Sequence, residues 1–292
     1  MAVLRSVKLL NRQTLDLLYK LTVRSVIDYA LPVYYNSLKL TDLARLDNIQ
    51  YRAGKIVTGV SHLTSKEKLN SELGWETIAK RGEILSLCFF HKIHLGETRP
   101  LMKTCMPKVN FNTNTRANFG YIHPKYKGAK FEKSFFRNTL KLWTNLPKNI
   151  QTKNLSEFKF EIKQRIKPPR FKHFSNGTKL GNSLLTKIRV GRSNLNQHQF
   201  TIGLSDSPEC LCHFRNETPI HYFLDCFLYL PERQILFDLV EHYIPNFQRM
   251  NRNQKFDILL KGIDIENPEI ISTNITLTKA VQKFIISSKR FS

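Results

Sequence analysis

The chain has 292 residues, room for about two domains, and its 41% hydrophobic and 11% aromatic content excludes a disordered protein. Its 46 basic side chains outnumber 23 acidic ones for a net charge of +23, which points to RNA and/or DNA as the partner. No apolar run approaches the ~18 residues that span a bilayer, so no membrane partner is expected.

Residues 3–95 read as helical. The first fifteen residues, with Arg5, Lys8 and Arg12 and no acid before Asp16, have the charge pattern of a mitochondrial presequence or of an ordinary amphipathic helix using Leu4, Val7 and Leu10. The helix is the favoured reading. Pro32 should end or kink the first long helix near Leu31. From Thr41 to Val57, Leu43, Leu46, Ile49, Ala53, Ile56 and Val57 recur on one helical face. Thr64 to Glu67 has capping-box form, and Gly74 and Gly82 suggest a break between two helices.

Residues 99–130 are rich in Pro, Gly and Asn and read as irregular. There Phe119, Tyr121, His123, Tyr126 and Phe131 alternate with Lys125, Lys127, Lys130 and Lys133. Aromatics can stack on bases while cations hold phosphates. Equally, a basic loop can tuck its aromatics back onto a core. Helices follow over 132–146, with Arg137 on the first, and over Ser156 to Ile166. Lys167-Pro-Pro-Arg170-Phe-Lys172 then forces an extended chain and marks a domain boundary. Leu184, Leu185, Ile188 and Val190 predict a helix that carries Lys187 and Arg189, with Arg192 beyond it, as phosphate contacts. Further helices are expected after Pro231, over 256–260 and over 277–286.

Charge is unevenly spread. Residues 99–192 hold 22 basic and 3 acidic side chains, whereas residues 208–292 hold 10 of each. The expected nucleic-acid contacts are therefore Lys125, Lys127, Lys130, Lys133, Arg137, Lys167, Arg170, Lys172, Lys187, Arg189 and Arg192.

Three of the five cysteines fall in Cys210-x-Cys212, followed by His221 and Cys226. Thiolate and imidazole are preferred Zn²⁺ ligands, and four of them fill a tetrahedral site. The expected cofactor is one structural Zn²⁺ in a CCHC knuckle. Thr218-Pro219 starts a helix under His221. Five residues turn about 140° on an ideal helix, so the helix must distort near Cys226. His213 is an alternative donor, and Phe214 and Tyr222 are groups the knuckle could present. Cys88 and Cys105 read as ordinary buried thiols. With no disulfide framework, a reducing, intracellular setting is expected, nucleus and/or cytoplasm.

Catalytic signatures are absent from the sequence. It has no Asp-Asp pair among nine Asp, no Walker or GxGxxG glycine loop, no Gly-x-Ser-x-Gly and no deaminase motif.

Several segments, in order, resemble the region after the palm of non-LTR (LINE-type) retrotransposon reverse transcriptases. They are Leu18 to Val33 with Arg24 and Asp28; Leu46, Asp47, Ile49, Gln50, Arg52 and Ala53; Glu72-Leu-Gly74-Trp75, then Arg81; and Trp143, Leu146, Pro147 and Phe158-Lys159. Leu184 to Phe200 and the Cys210–Cys226 motif with Glu217, Tyr229, Glu232 and Arg233 complete the set. The resemblance covers nearly the whole chain. It implies a C-terminal, thumb-to-cysteine–histidine part of such a transposable-element protein. That part would hold template RNA and target DNA, alongside other parts of the retroelement machinery, without the family's Asp-Asp polymerase motif or its endonuclease. No enzymatic activity of the isolated chain is expected. The fold class is then mainly α, a helical thumb-like domain over 1–166, a basic connecting segment over 167–207, and a small zinc-knuckle module with C-terminal helices over 208–292.

Overall fold

Short polar side chains start several of the helices. Asn11 Oδ1 accepts the Thr14 N–H at 2.9 Å ahead of Arg12–Leu18. Thr77 does the same for Lys80 at 3.3 Å ahead of Ile78–His94. Thr178 accepts the Gly181 N–H at 3.0 Å ahead of Lys179–Arg189. Asn251 and Gln254 form a reciprocal capping box on Arg252–Lys261. Each bond satisfies a backbone donor that the first turn leaves open, typically ~1 kcal/mol.

The computed structural model describes residues 2–61, 63–107, 109–110, 120–121, 128, 132–166, 171–263 and 268–291. It is mainly helical. The strands among the described residues are Val109–Asn110 and Gly120–Tyr121, paired antiparallel. Among the described residues no helix is long and apolar enough to cross a membrane.

Expected elements recur with shifted details. The 41–57 stripe is the helix Leu40–Thr58, and the later stripes are Phe135–Thr144, Leu155–Ile166, Leu230–Tyr243, Arg252–Lys261 and Pro268–Ser287. The break near Pro32 comes earlier than expected. Ser25–Asp28 ends, Ala30 adopts a left-handed φ of 53°, and Pro32 sits in the first turn of Leu31–Tyr34, where its missing N–H costs nothing. The cap after residue 63 is Ser65, which accepts from the Lys68 N–H at 3.3 Å. Thr64 instead gives its carbonyl to the Tyr51 hydroxyl at 2.7 Å, which holds it in the preceding turn. Gly74, at φ 60°, does close a helix. Gly82 breaks nothing: it lies inside Ile78–His94 because a Cβ there would stand 2.6 Å from the Tyr35 ring.

Two compact units form, and neither is continuous in sequence. One comprises residues 1–20, 51–73 and 170–292; the other 21–50 and 74–169. These units cut the chain differently from the division into 1–166, 167–207 and 208–292, with one break between Pro169 and Arg170. Buried ion pairs tie distant segments together. In the first unit Arg12 Nη1 reaches Glu72 Oε1 at 2.8 Å, and Arg189 reaches the same carboxylate at 2.6 and 3.0 Å. Thr186 Oγ1 joins at 3.1 Å. Glu72 and both guanidiniums are almost fully buried. Burial works against the Glu72 carboxylate, but Arg189 and Arg12 outweigh it and hold its pKa below the usual range.

The core of this unit joins Leu184, Leu185 and Ile188 to Leu236, Val240, Val281, Phe284 and Ile285, and includes Cys210, Cys212 and Cys226. In the other unit Phe90, Trp143, Phe158 and Ile162 pack together. His91 stacks on Phe158 at 4.0 Å, with Nε2 against the Lys153 carbonyl at 2.9 Å. A second charge cluster belongs to this unit: Arg24 and Arg81 reach Glu76 at 3.2 and 2.5 Å, and Arg81 also reaches Asp28 at 2.5 Å.

Candidate metal centre

Cys210 and Cys212 lie at the tip of a small hairpin. Its base is the bridge between Glu209 and Asn216 and the Glu217 N–H to Pro208 carbonyl bond at 2.8 Å. The Cys210 N–H donates to the Arg215 carbonyl at 2.9 Å. The chain turns at His213, whose φ of 57° is left-handed. That turn lets two cysteines one residue apart face the same side. It also leaves the His213 side chain exposed and outside the cluster.

The other two ligands come from one irregular turn. Thr218 Oγ1 accepts the His221 N–H at 3.1 Å. His221–Asp225 is a π-helix, and its Cys226 N–H to His221 carbonyl bond of 2.8 Å spans five residues. That wider winding brings residues five apart onto one face, which an α-helix would not do. Distortion at Cys226 was the expectation, and the π-turn is its form. Leu230–Tyr243 then begins with Pro231 in its first turn.

The four ligand atoms all lie within 4.8 Å of one another and could hold a metal ion. Cys210 Sγ stands 3.6 Å from Cys226 Sγ, and Cys212 Sγ 3.3 Å from His221 Nε2. Around a tetrahedral ion with metal–sulfur bonds of about 2.3 Å, ligand atoms stand about 3.5 to 3.8 Å apart. The donor set therefore fits such an ion in type, and Cys210 with Cys226 also in spacing, within a set that spans up to 4.8 Å.

Burial pushes the Cys210 thiol up to about 12 and raises Cys226 as well. At Cys212 burial is outweighed by backbone N–H groups, first that of Phe214, and the thiol is lowered. Burial also lowers the His221 imidazole, which keeps it in the neutral, ligating form. The raised Cys210 and Cys226 are neutral thiols, and an ion taking them as ligands would have to displace their protons.

Supports surround the cluster. Arg233 donates to the Cys226 carbonyl at 2.6 Å. Glu217, fully buried, takes two bonds of 2.5 Å from Arg290 and one of 2.7 Å from the Asn196 N–H. Tyr222 is not presented to a partner. It is fully buried, bonds Ser288 Oγ at 2.7 Å, and packs on Tyr229 and Phe284. Phe214 is 76% exposed. The cluster is thus part of the core of the first unit, where a separate small module was expected. Cys88 is half-buried and Cys105 exposed, which corrects their reading as buried thiols.

No protein-family model, curated protein or solved structure matches the chain.

The expected nucleic-acid contacts fare unequally. Lys125, Lys127, Lys130, Lys167 and Arg170 lie outside the described residues, and of Lys172 only the backbone, in a 3₁₀ turn, is described. Lys133 is exposed and Lys187 half-exposed. Arg137 bonds Glu132 at 2.7 Å, and Arg192 reaches His198 Nε2 at 3.3 Å. Arg189 is overturned as a phosphate contact: its side chain is 6% exposed, committed to Glu72, and stacked 3.8 Å over Phe174. Tyr121 packs edge-on against Phe90 at 5.4 Å, the tucked-in alternative.

One set of exposed cations on a single helix escaped the sequence reading. On Leu155–Ile166, Phe158 and Ile162 point into the core while Lys159, Lys163, Arg165 and a 63% exposed Phe160 remain outside. The signal available was the helical phase: with Phe158 and Ile162 inward, Phe160 must face out.

Proposed function

We propose that this chain binds RNA or single-stranded DNA as a thumb-to-cysteine–histidine region of a non-LTR-type reverse transcriptase, and has no polymerase chemistry of its own. The observation that carries this reading is the cation surplus of residues 99–192, 22 basic against 3 acidic. Lys133, Lys159, Lys163 and Arg165 are exposed cations and Phe160 an exposed ring of the same unit, the side-chain types that single strands use.

The metal in this reading is Zn²⁺. Three thiolates and one imidazole match its preference, and four protein ligands leave no position for a reactive water. Its role is to fix the fold of the first unit. With the ion and three thiolates summing to about −1, the centre does not attract phosphate.

Filter binding or fluorescence anisotropy with a single-stranded RNA tests the reading. Affinity should fall steeply with salt, with a slope near −0.7 per phosphate contacted. A flat salt dependence, or no binding at moderate salt, overturns it. Primer extension on an RNA template tests the lack of polymerase activity, and robust incorporation would refute that part.

One observation favours a second reading, a protein-interaction surface. Leu21, Val26, Tyr29, Val33 and Leu40 are each 61–85% exposed in the unit formed by residues 21–50 and 74–169. Charge reversal at Lys133, Lys159 and Lys163 separates the two: it abolishes RNA binding in the first and leaves partner binding intact in the second.

A further inference from the structure

Arg233 lies in the first turn of Leu230–Tyr243 and is 4% exposed. A guanidinium stays charged at any ordinary pH, and a buried one needs an anion. Its Nη2 donates to the Cys226 carbonyl at 2.6 Å, while its Nη1, also buried, has no acceptor. No carboxylate among the described residues pairs with it. Asp225 is bound to Arg252 instead. Glu232, next to it in sequence, leaves its own buried Oε2 without a partner.

Three other guanidiniums are buried to the same degree and are served differently. The side chains of Arg12, Arg24 and Arg189 are 4 to 6% exposed, and each lies against a buried glutamate. Where those three have a carboxylate, Arg233 has Cys226. Burial disfavours the Arg233 charge, and Cys226 and then Asp225 are the groups that offset this. The Asp225 side chain is 30% exposed and shared with Arg252, so its field at Arg233 is screened.

A zinc centre supplies the missing anion. Zn²⁺ with three thiolates and a neutral imidazole sums to −1. A thiol becomes a thiolate as it takes an ion, so the negative charge beside Arg233 grows as Cys226 coordinates. Either charge alone is costly in the core of the first unit, and side by side they cancel.

We infer that Arg233 is the counter-cation of the zinc centre, held against Cys226 so that the loaded core is electrically neutral. The inference rests on the zinc reading and adds to it a residue outside the ligand set. Arg233 is no ligand; it acts through Cys226, as a positioning residue whose charge favours the thiolate form.

Zinc affinity of the full chain, measured by competition with a chelating indicator, tests it. Arg233→Met should bind zinc about 10- to 100-fold more weakly, the range for groups behind metal ligands. Arg233→Lys keeps the charge and should stay within about twofold of the parent. Arg233→Gln keeps an N–H for the Cys226 carbonyl but no charge, and should fall with Arg233→Met. A double-mutant cycle adds Cys212→His, which leaves two thiolates and brings the ion and its ligands to zero charge. In that background Arg233→Met should change zinc affinity by no more than about twofold.

An equal loss in both backgrounds, or retention of affinity by Arg233→Gln, would make Arg233 a donor to the backbone and nothing more, and overturns the inference. An affinity of Arg233→Met within about twofold of the parent does the same and leaves the zinc centre standing. If the parent takes up no zinc, the zinc reading fails and this inference with it. Where Arg233→Met does not fold, or Cys212→His takes up no zinc, Arg233→Lys and Arg233→Gln decide alone: loss in the second only supports the counter-cation, and loss in both or in neither overturns it.

Discussion

The cysteine–histidine cluster and the basic stretch upstream of it were read from the same sequence, and they behave in opposite ways. The cluster assembles as its spacing implied, with four ligand atoms within 4.8 Å. The basic stretch divides. Arg189 is buried on Glu72, Arg137 and Arg192 have local partners, and Lys133 stays exposed. The difference lies in specificity. A ligand set is defined by residue types that rarely cluster without a reason. A cation is as useful to a buried carboxylate as to a phosphate, and only its neighbours decide which it serves.

Disrupting the proposed zinc centre should have the largest effect. Chelation, or Cys226→Ser, is expected to lose the ion and loosen the whole first unit, since structural zinc can contribute on the order of 10 kcal/mol to folding. Because residues 2–20 and 51–73 belong to that unit, hydrogen exchange should accelerate in Lys66–Leu73 and Lys179–Arg189 as well as around residues 205–245. Loosening confined to 205–245 would restore the idea of a separate knuckle.

Next in size is Glu72→Ala. It leaves Arg12 and Arg189 buried together without their shared anion and should cost about 3–5 kcal/mol in urea denaturation. A cost below about 1 kcal/mol would mean the pair is solvated. Arg189→Ala should likewise lower stability while leaving the salt slope of RNA binding unchanged, the opposite of what a phosphate contact would do.

Acid should weaken both units. Burial lowers the pKa of His91 and of His173, despite the carbonyls each ring faces. Below about pH 6.5 the unfolded chain binds protons that these buried rings refuse. Their stabilisation is therefore complete above that pH and declines as pH falls below it. Glu72 and Glu76, held low by their arginines against burial, add a further loss at more acid pH, below about 4.3. Thermal melts from pH 8 to pH 4 check this, and a level profile down to pH 5 would show the histidines to be accessible.

The smallest effects belong to the exposed side chains of Leu155–Ile166. Lys159→Ala or Phe160→Ala should leave the melting temperature within a degree or two and weaken single-strand binding by about 1–3 kcal/mol for the ring and less for the lysine. If Phe160→Ala binds like the parent, the ring is mere surface.

Much of the helical architecture was legible because apolar stripes such as Leu43 to Val57 carry their own period. Details that depend on a remote partner were not. Gly82 reads as a breaker until the Tyr35 ring is seen against it, and Thr64 reads as a cap until its carbonyl is found on the Tyr51 hydroxyl. Polar residues that carried the family resemblance, Arg24, Asp28, Glu72, Arg81, Arg189 and Glu217, are partners in internal ion pairs. They mark how the chain is held together.

The sequence by itself determined the helix periods, the ligand types of the metal centre and the excess of positive charge, since all three are written in local spacing or composition. The tertiary structure alone decided that each unit is built from separate stretches of sequence, that the cysteines belong to a core, and which cations stay in water. Those outcomes depend on residues brought together across gaps such as that between Arg12 and Arg189, where burial and charge pairing act between segments that no local pattern connects.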